Sequence, residues 1–393
     1  MKIVHVMPWY IQDMGYQENS LPQEQSKLGH SVEIVTSDRI PDFAGFDQFL
    51  GKSFRSRIQR IGTFEENGVR IHRLPCVESA GQVYLMGLRR KLKMIRPDIV
   101  QSHAAFSPST IQTILYSKGL GYRLFIDDHS HKTNYHADNP VRRVYVALTR
   151  AIYRIMDGRI ECYMPITSSA RDILESILQI PAGKIELLPL GADTGRFTKS
   201  AHEREAGRST YGIRNETCVV VYAGKLTENK DVDVLIKAFG HVVEKNQDMM
   251  LLLVGNGPGE YMSRLKKLAS EVIPSGKAQF IGFARNADLP TIYNSSDIGV
   301  WPGNASITVI EALATGLPTI VQMNDLASYE RVFEAKAAVG FERGDVRGLA
   351  EKIEMLLKDP RFRAEIAARA ESLVKNSLSW RILAERSISL YQR

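Results

Sequence analysis

The sequence predicts an α/β protein built from two doubly wound, parallel-sheet domains. Three observations carry this expectation. Short apolar runs of strand length alternate with longer amphipathic segments along nearly the whole chain. The 393 residues are too many for one ordinary hydrophobic core. The alternation also breaks near the middle of the chain, across residues 189–208, before it resumes.

In the first half the spacing predicts strands at Ile3–Met7, Val32–Thr36, Val69–Arg73, Ile99–Ser102, Leu124–Asp127 and Cys162–Ile166. In the second half it predicts Val219–Ala223, Met250–Val254, Gln279–Ile281, Ile298–Trp301 and Thr319–Val321. Between them, Val232, Leu235, Ile236, Phe239, Val242 and Val243 fall on one helical face, as do Leu349, Ile353, Leu356 and Leu357. Such alternation implies parallel sheets with helices on both faces. The turn-rich run Pro189 to Thr194 and the charged stretch Lys199 to Arg208 mark the break. Domains are therefore expected at 1–193 and 194–376. The last segment, 377–393, places Trp380, Leu383, Ala384, Ser387, Ile388 and Tyr391 on one face with no strand to follow. It is expected to cross back onto the first domain. Ser37 to Gly68 lacks periodicity and reads as a loop or excursion near a cleft.

Composition narrows the class. Hydrophobic content of 44% with 24% charged residues is that of a soluble globular protein. No run of about 18 apolar residues is present to span a bilayer. Met1 to Tyr10 reads as a buried strand rather than a secretory signal. Cys76, Cys162 and Cys218 have no metal or redox spacing, which suits buried thiols in a reducing, cytoplasmic setting. The net charge of +7 is uneven: residues 52–96 carry eleven Lys/Arg against Glu65, Glu66 and Glu78, a net +8. That patch suits anionic lipid headgroups or a phosphate-bearing acceptor, the bland alternative being a solvated helix face. Nucleic acid is set aside, since no aromatic-plus-basic signature accompanies the charge.

Gly255-Asn256-Gly257-Pro258-Gly259-Glu260 follows a strand as a dinucleotide fingerprint should, but the third glycine position is Glu260. A structural turn is the better account. Pro302 to Thr308 puts small residues, the polar Asn304 and Ser306 with Ala305 between them, at the start of an apolar helix beginning near Ile307. Such a start presents backbone N–H groups to a pyrophosphate; Ser306 or Asn304 could equally cap the helix. Glu311, one turn further, could accept hydrogen bonds from ribose hydroxyls or be an ordinary helix glutamate. Lys225 and Lys230 flank a loop at the carboxyl end of a strand, where they can neutralise a diphosphate leaving group. Gly15-Tyr16-Gln17-Glu18 is a second phosphate-facing helix start. Asp127-Asp128-His129-Ser130-His131 could bind metal, face a cleft or bond structurally, but no third ligand stands in register. Asp231 and Asp233 read as helix-start acids rather than a metal site.

Together these segments resemble the retaining glycosyltransferases of family 4, which have the GT-B fold of two Rossmann-like domains facing a central cleft. Leu28 to Thr36 is similar to the family's GHxVxVxT strand and Arg96 to His103 to its PDxVxxH strand. Leu188 to Thr194 with Phe197 resembles PxGxDxxxF. Gly224-Lys225-Leu226 with Lys230, Gly255 to Pro258, and Glu311 to Ala314 with Gly316 and Pro318 resemble its second-domain motifs. The resemblance implies that Lys225 and Lys230 hold donor phosphates, Glu311 binds ribose and the backbone near Phe283 meets the base. It also implies that Gly15 contacts the pyrophosphate and that His129 lies beside the transferred sugar. No metal cofactor is implied; the partners are a nucleotide-sugar and a hydroxyl acceptor. That acceptor belongs to polysaccharide, glycolipid or lipid-linked oligosaccharide synthesis, with peripheral contact at the inner face of the cell membrane through residues 52–96. One departure stands out: the first glutamate of the family's E-x7-E pattern is Gly303 here. A non-catalytic nucleotide-binding relative and a GT-B epimerase or phosphorylase are the alternatives.

Overall fold

The computed structural model describes residues 1–41, 56–130, 140–304, 306–323 and 326–393. The described chain forms two compact units, one of residues 1–41, 56–190 and 380–393, the other of residues 191–379. Their boundaries fall at Leu190/Gly191 and Ser379/Trp380, a few residues from those read in the sequence.

In the first unit the strands are β1 (Lys2–Val6), β2 (Ser31–Ser37), β3 (Gly62–Glu66), β4 (Val69–Leu74), β5 (Cys76–Ser79), β6 (Gln82–Leu85), β7 (Ile99–His103), β8 (Arg123–Asp128) and β9 (Ile160–Pro165). The helices are α1 (Gln17–Lys27), α2 (Leu88–Ile95), α3 (Pro108–Leu120), α4 (Pro140–Met156) and α5 (Ser168–Ile173). The main sheet has the order β3-β4-β2-β1-β7-β8-β9. It is parallel except at the edge, where β3 runs antiparallel to β4. Val4, Val6, Val35, Val100, Leu124 and Ile126 are buried in it, as a sheet covered on both faces requires. The chain winds from β1 to β2 and β4, then returns to the other side of β1 with β7. The strand order therefore reverses between β1 and β7, where doubly wound sheets open a crevice at their carboxyl ends.

In the second unit the elements are α6 (Ala201–Thr210), β10 (Cys218–Ala223), α7 (Val232–Val243), β11 (Met249–Val254), α8 (Gly259–Val272), β12 (Ala278–Gly282) and α9 (Leu289–Ser295). They continue with β13 (Ile298–Trp301), α10 (Ile307–Ala314), β14 (Thr319–Gln322), α11 (Leu326–Glu334), β15 (Val339–Phe341), α12 (Val346–Lys358) and α13 (Pro360–Leu373). The sheet order is β12-β11-β10-β13-β14-β15, all parallel. Here the reversal lies between β10 and β13. The last helix, α14 (Trp380–Gln392), belongs to the first unit and packs on α1.

Four strands went unread in the sequence, each for a physical reason. β3 lies at a sheet edge, largely exposed, so it has no apolar period, and it corrects the loop reading of 37–68 in its described part. β5 and β6 form a separate hairpin turning on Ala80 and Gly81, both at positive φ. β15 has only three residues. Residues 42–55 of the 37–68 segment lie outside the described chain.

Candidate functional site

In the second unit, the loops that leave β10 and β13 at the strand reversal carry most of the expected residues. Lys225 and Lys230 lie after β10; Asn304 and Ser306 lie after β13. The two loops are tied: Lys230 Nζ donates to the Asn304 carbonyl at 2.7 Å, and Asn304 N donates to the Asn229 carbonyl at 3.0 Å. Arg343, after β15, binds both, donating to Asn304 Oδ1 at 2.9 Å and ion-pairing with Asp231. Asp233 pairs instead with Lys237. Lys225 is exposed as a residue, yet desolvation around its ammonium holds its pKa below the usual lysine value.

Ser306 occupies the N-cap position of α10, but its side chain caps nothing. Its hydroxyl meets Thr308 Oγ1 at 2.8 Å, and Thr308 in turn donates to the Ala223 carbonyl. Asn304 also gives no cap, its Oδ1 being taken by Arg343. The capping alternative is thereby corrected: the first turn of α10 keeps N–H groups that no side-chain cap takes. Ile307 opens that turn. Ala305 lies outside the described residues.

One turn on, Glu311 is 2% exposed. Its Oε1 accepts from Asn286 Nδ2 at 2.6 Å, while Oε2 makes no hydrogen bond. Asn286 is oriented by Arg196, which donates to its Oδ1 at 3.0 Å. Burial pushes the Glu311 carboxyl up to about 8, against the opposing pull of Asn286 and Arg196. A buried, half-satisfied carboxyl costs stability unless a ligand completes it. Phe283 lies just beyond β12, half-buried.

The glycines explain how the loops come so close. A Cβ on Gly255 would stand 1.8 Å from the Gly224 carbonyl oxygen, and one on Gly257 1.7 Å from that of Leu226. The Gly255–Pro258 turn therefore buttresses the lysine loop, through Gly224 N to Val254 O and Leu226 N to Asn256 O. Gly303 is equally constrained, since its Cβ would fall 2.4 Å from the Lys230 backbone and 2.6 Å from the Asn229 oxygen. Where the family carries its first glutamate, this chain packs backbone against backbone.

In the first unit, the carboxyl ends of β1, β7 and β8 enclose a ring of buried polar side chains. His5 Nδ1 lies 2.9 Å from His103 Nε2, and His103 Nδ1 lies 2.6 Å from Asp127 Oδ2. Gln101 Nε2 donates to Asp127 Oδ2, and the Tyr391 hydroxyl donates to Gln101 Oε1. Gln25 Nε2 donates to Tyr391 and Ser387, and Gln25 Oε1 faces His5 Nε2 at 2.7 Å, closing the ring. Proton positions follow. With Gln25 presenting its oxygen, His5 Nε2 donates and Nδ1 accepts, so His103 Nε2 donates. His103 Nδ1 beside a carboxylate also needs its proton, which makes His103 an imidazolium. Burial alone would lower the His103 pKa, but Asp127 outweighs it and raises it. Burial would raise Asp127, but His103 holds it below the ordinary carboxylate value. Burial and the facing His103 push His5 down to about 3.

His129 stands at the rim of this ring, its Nε2 3.9 Å from Asp127 Oδ1. The missing third group near Asp127 and His129 is thus His103, brought in by β7; the three offer donor atoms within 4.8 Å of one another. At 2.6 Å, however, His103 and Asp127 stand closer than two ligands of one ion, about 3.3 Å apart for bonds of ~2 Å. The contact is that of an ion pair. Asp128 fixes the turn, accepting from Ala105 N and from Ser130 N and Oγ. His131 lies outside the described residues, and Gly15 sits between β1 and α1 with φ 69°.

Sequence reasoning missed Arg196, Asn286, Arg343, Gln101 and Tyr391 as site components. Their roles come from side chains distant in sequence, and only the spacing of α14 hinted at Tyr391.

Two largely parallel-sheet units, each with polar groups gathered at its strand reversal, give the GT-B fold that solved glycosyltransferases of similar structure share. Residues 19–191 match the model of the glycosyl transferase 4-like domain, and residues 203–373 that of glycosyl transferases group 1. The chain belongs to the family 4 glycosyltransferases. It is 33% identical over 218 residues to the GDP-mannose-dependent monoacylated alpha-(1-6)-phosphatidylinositol monomannoside mannosyltransferase of Corynebacterium glutamicum, covering 53% of this chain and 56% of that protein. It is 28% identical to a GDP-mannose-dependent alpha-(1-6)-phosphatidylinositol monomannoside mannosyltransferase of Mycolicibacterium smegmatis, with 53% and 56% covered. The chain thus spans about half the length of these curated relatives. Its fold matches that of Anabaena HepE in complex with UDP, with TM-score 0.75, 14% identity and full coverage of both chains.

Proposed function

We propose that this chain transfers a sugar from a nucleoside-diphosphate sugar to a hydroxyl acceptor, with retention at the anomeric carbon. The observation that carries the reading is Glu311, a buried carboxyl with one oxygen satisfied and the other awaiting a donor. It lies on the helix whose uncapped start adjoins Lys230. Vicinal ribose hydroxyls suit such a carboxyl, and a diphosphate suits the lysines and the helix start.

In this reading Lys225, Lys230 and the α10 dipole stabilise the departing diphosphate as the anomeric carbon–oxygen bond breaks. The acceptor oxygen bonds to that carbon on the same face, and its proton passes to the departing phosphate oxygen. No metal is called for, because the protein supplies the positive charge. Gly15, Phe283 and His129 keep their implied roles at pyrophosphate, base and sugar. The phosphatidylinositol monomannoside in the names of two relatives and the basic segment 52–96 support a lipid-linked or polysaccharide acceptor at the cytoplasmic face of a membrane. Among the described residues no helix is long and apolar enough to cross one.

The test is thermal stability against UDP, GDP, ADP and CDP and their sugar conjugates. A ligand at about a hundred times its dissociation constant adds roughly 2.7 kcal/mol. One nucleotide raising Tm in wild type but not in Glu311→Ala is the expected result; no shift from any of them overturns the reading.

A further inference from the structure

Arg343 joins three loops of the second unit, although it lies outside every motif that the sequence singles out. It follows β15 at the sheet edge and reaches past β14 to the loops that leave β13 and β10. Each nitrogen of its guanidinium has a different partner. Nε ion-pairs with Asp231, Nη1 donates to Asn304 Oδ1 at 2.9 Å and Nη2 donates to the Asn229 carbonyl at 3.3 Å. A planar fork of fixed donors holds several acceptors in one geometry, as a point charge on a flexible stem does not.

The partners show what this contact serves. Asp231 stands at the N-cap position of α7 with φ 49°, and its side chain caps nothing. An aspartate there ordinarily bonds its own helix start. This one is turned to Arg343 instead, in a backbone conformation that its surroundings must enforce. Asn304 is buried, and its main chain binds the lysine loop twice. Its carbonyl accepts from Lys230 Nζ at 2.7 Å, and its N–H donates to the Asn229 carbonyl at 3.0 Å. The two loops touch so closely that a Cβ at Gly303 would lie 2.4 Å from the Lys230 backbone. Arg343 fastens both sides of that contact at once.

We infer that Arg343 is a positioning residue for the donor diphosphate. It locks the two loops so that the Lys230 ammonium and the start of α10 keep one separation. A single cation binds any phosphate, whereas two groups held apart favour a ligand long enough to meet both. A charge fixed before the ligand arrives also loses no freedom on binding, which strengthens the complex. The guanidinium is committed to protein acceptors, so it acts through Asn304 and Lys230 rather than on the phosphates. The inference rests on the donor reading above and adds to it a residue and the feature which that residue selects.

Isothermal titration of the full chain with UDP and UMP, GDP and GMP, ADP and AMP, and CDP and CMP tests this, read as the ratio of diphosphate to monophosphate affinity. Wild type should prefer one diphosphate over its monophosphate at least about tenfold, the worth of one hydrogen bond to a charged group. Asn304→Ala leaves the net charge unchanged, and Arg343→Lys keeps the positive charge without the fork. Each should lose most of the preference. Asn304→Ala/Arg343→Lys should fall no further than either single variant, because both break the same link. Tm, read in the same preparations, reports folding; a purely structural role lowers Tm and leaves the ratio of the folded protein unmoved. A wild type without diphosphate preference, or a single variant with the wild-type ratio, overturns the inference. Losses that add in the double variant also overturn it, since they place Arg343 on the phosphates directly. If no diphosphate binds wild type, the donor reading falls and the inference with it; diphosphate binding with unchanged ratios in the variants removes the inference alone.

Discussion

His103 Nδ1 and Asp127 Oδ2 meet at 2.6 Å with both side chains sealed from solvent. The pair is held from three sides, by His5, by Gln101 and, through Gln101, by Tyr391 of the last helix. It places an ionised carboxylate under the rim residue His129 and makes α14 part of the first unit's polar centre.

Removing one member strands the other. His103→Gln leaves Asp127 buried without its cation, a loss of about 3–5 kcal/mol, whereas His103→Gln/Asp127→Asn should recover part of it. Stability from His103 is full below its ordinary value of 6.5 and is lost as pH rises through its raised folded value. Stability from Asp127 is present above 3.8 and is lost as pH falls through its lowered folded value. Denaturant melts of wild type and the double variant across pH should therefore differ in their acid and alkaline limbs and run parallel between them.

Glu311 has the dependence opposite to that of Asp127. Its ordinary value is 4.5 and its folded value about 8, so the folded protein holds the proton more tightly. The penalty for ionising it grows as pH rises from 4.5 to 8. Glu311→Gln should raise Tm at pH 8, with the gain vanishing near pH 4.5, while abolishing nucleotide stabilisation. A variant with unchanged Tm at both pH values would contradict the buried carboxyl's cost.

Restoring a glutamate at position 303 should not restore anything. Its Cβ would overlap the Lys230 backbone at 2.4 Å, so Gly303→Ala and Gly303→Glu are both expected to cost about 1–3 kcal/mol by overpacking and to lower transfer. A gain of activity with unchanged Tm would show that the loop yields.

Lys225→Ala/Lys230→Ala should remove transfer while leaving the fold. The double variant gives up the Lys230 bond to the Asn304 carbonyl, a contact worth about 1 kcal/mol, yet its turnover should fall by about a hundredfold or more, as when an electrostatic stabiliser is removed. Residual turnover near wild type would place the leaving-group charge elsewhere.

The sheets were legible because their strands are buried on both faces, so Val219–Ala223 and Ile298–Trp301 stand out as apolar runs whatever surrounds them. Lys225, Lys230 and Glu311 were legible because their chemistry and their place after a strand or in a helix's first turns are local properties. The Gly255–Pro258 turn was read as structural from one missing glycine. Its purpose, buttressing the Gly224–Leu226 loop, belongs to contacts across the strand pair β10–β11 and has no local signature.

By itself the sequence determined two α/β units, their strand order of appearance and the polar residues that end the strands, because burial and helix periodicity are written every few residues. The tertiary structure alone decided which groups share a proton or a charge. His5, Gln25, His103, Asp127 and Tyr391 meet because strand reversal and the return of α14 bring them together. Burial then keeps His5 neutral and makes Glu311 reluctant to ionise, while the Asp127 carboxylate keeps His103 cationic against it.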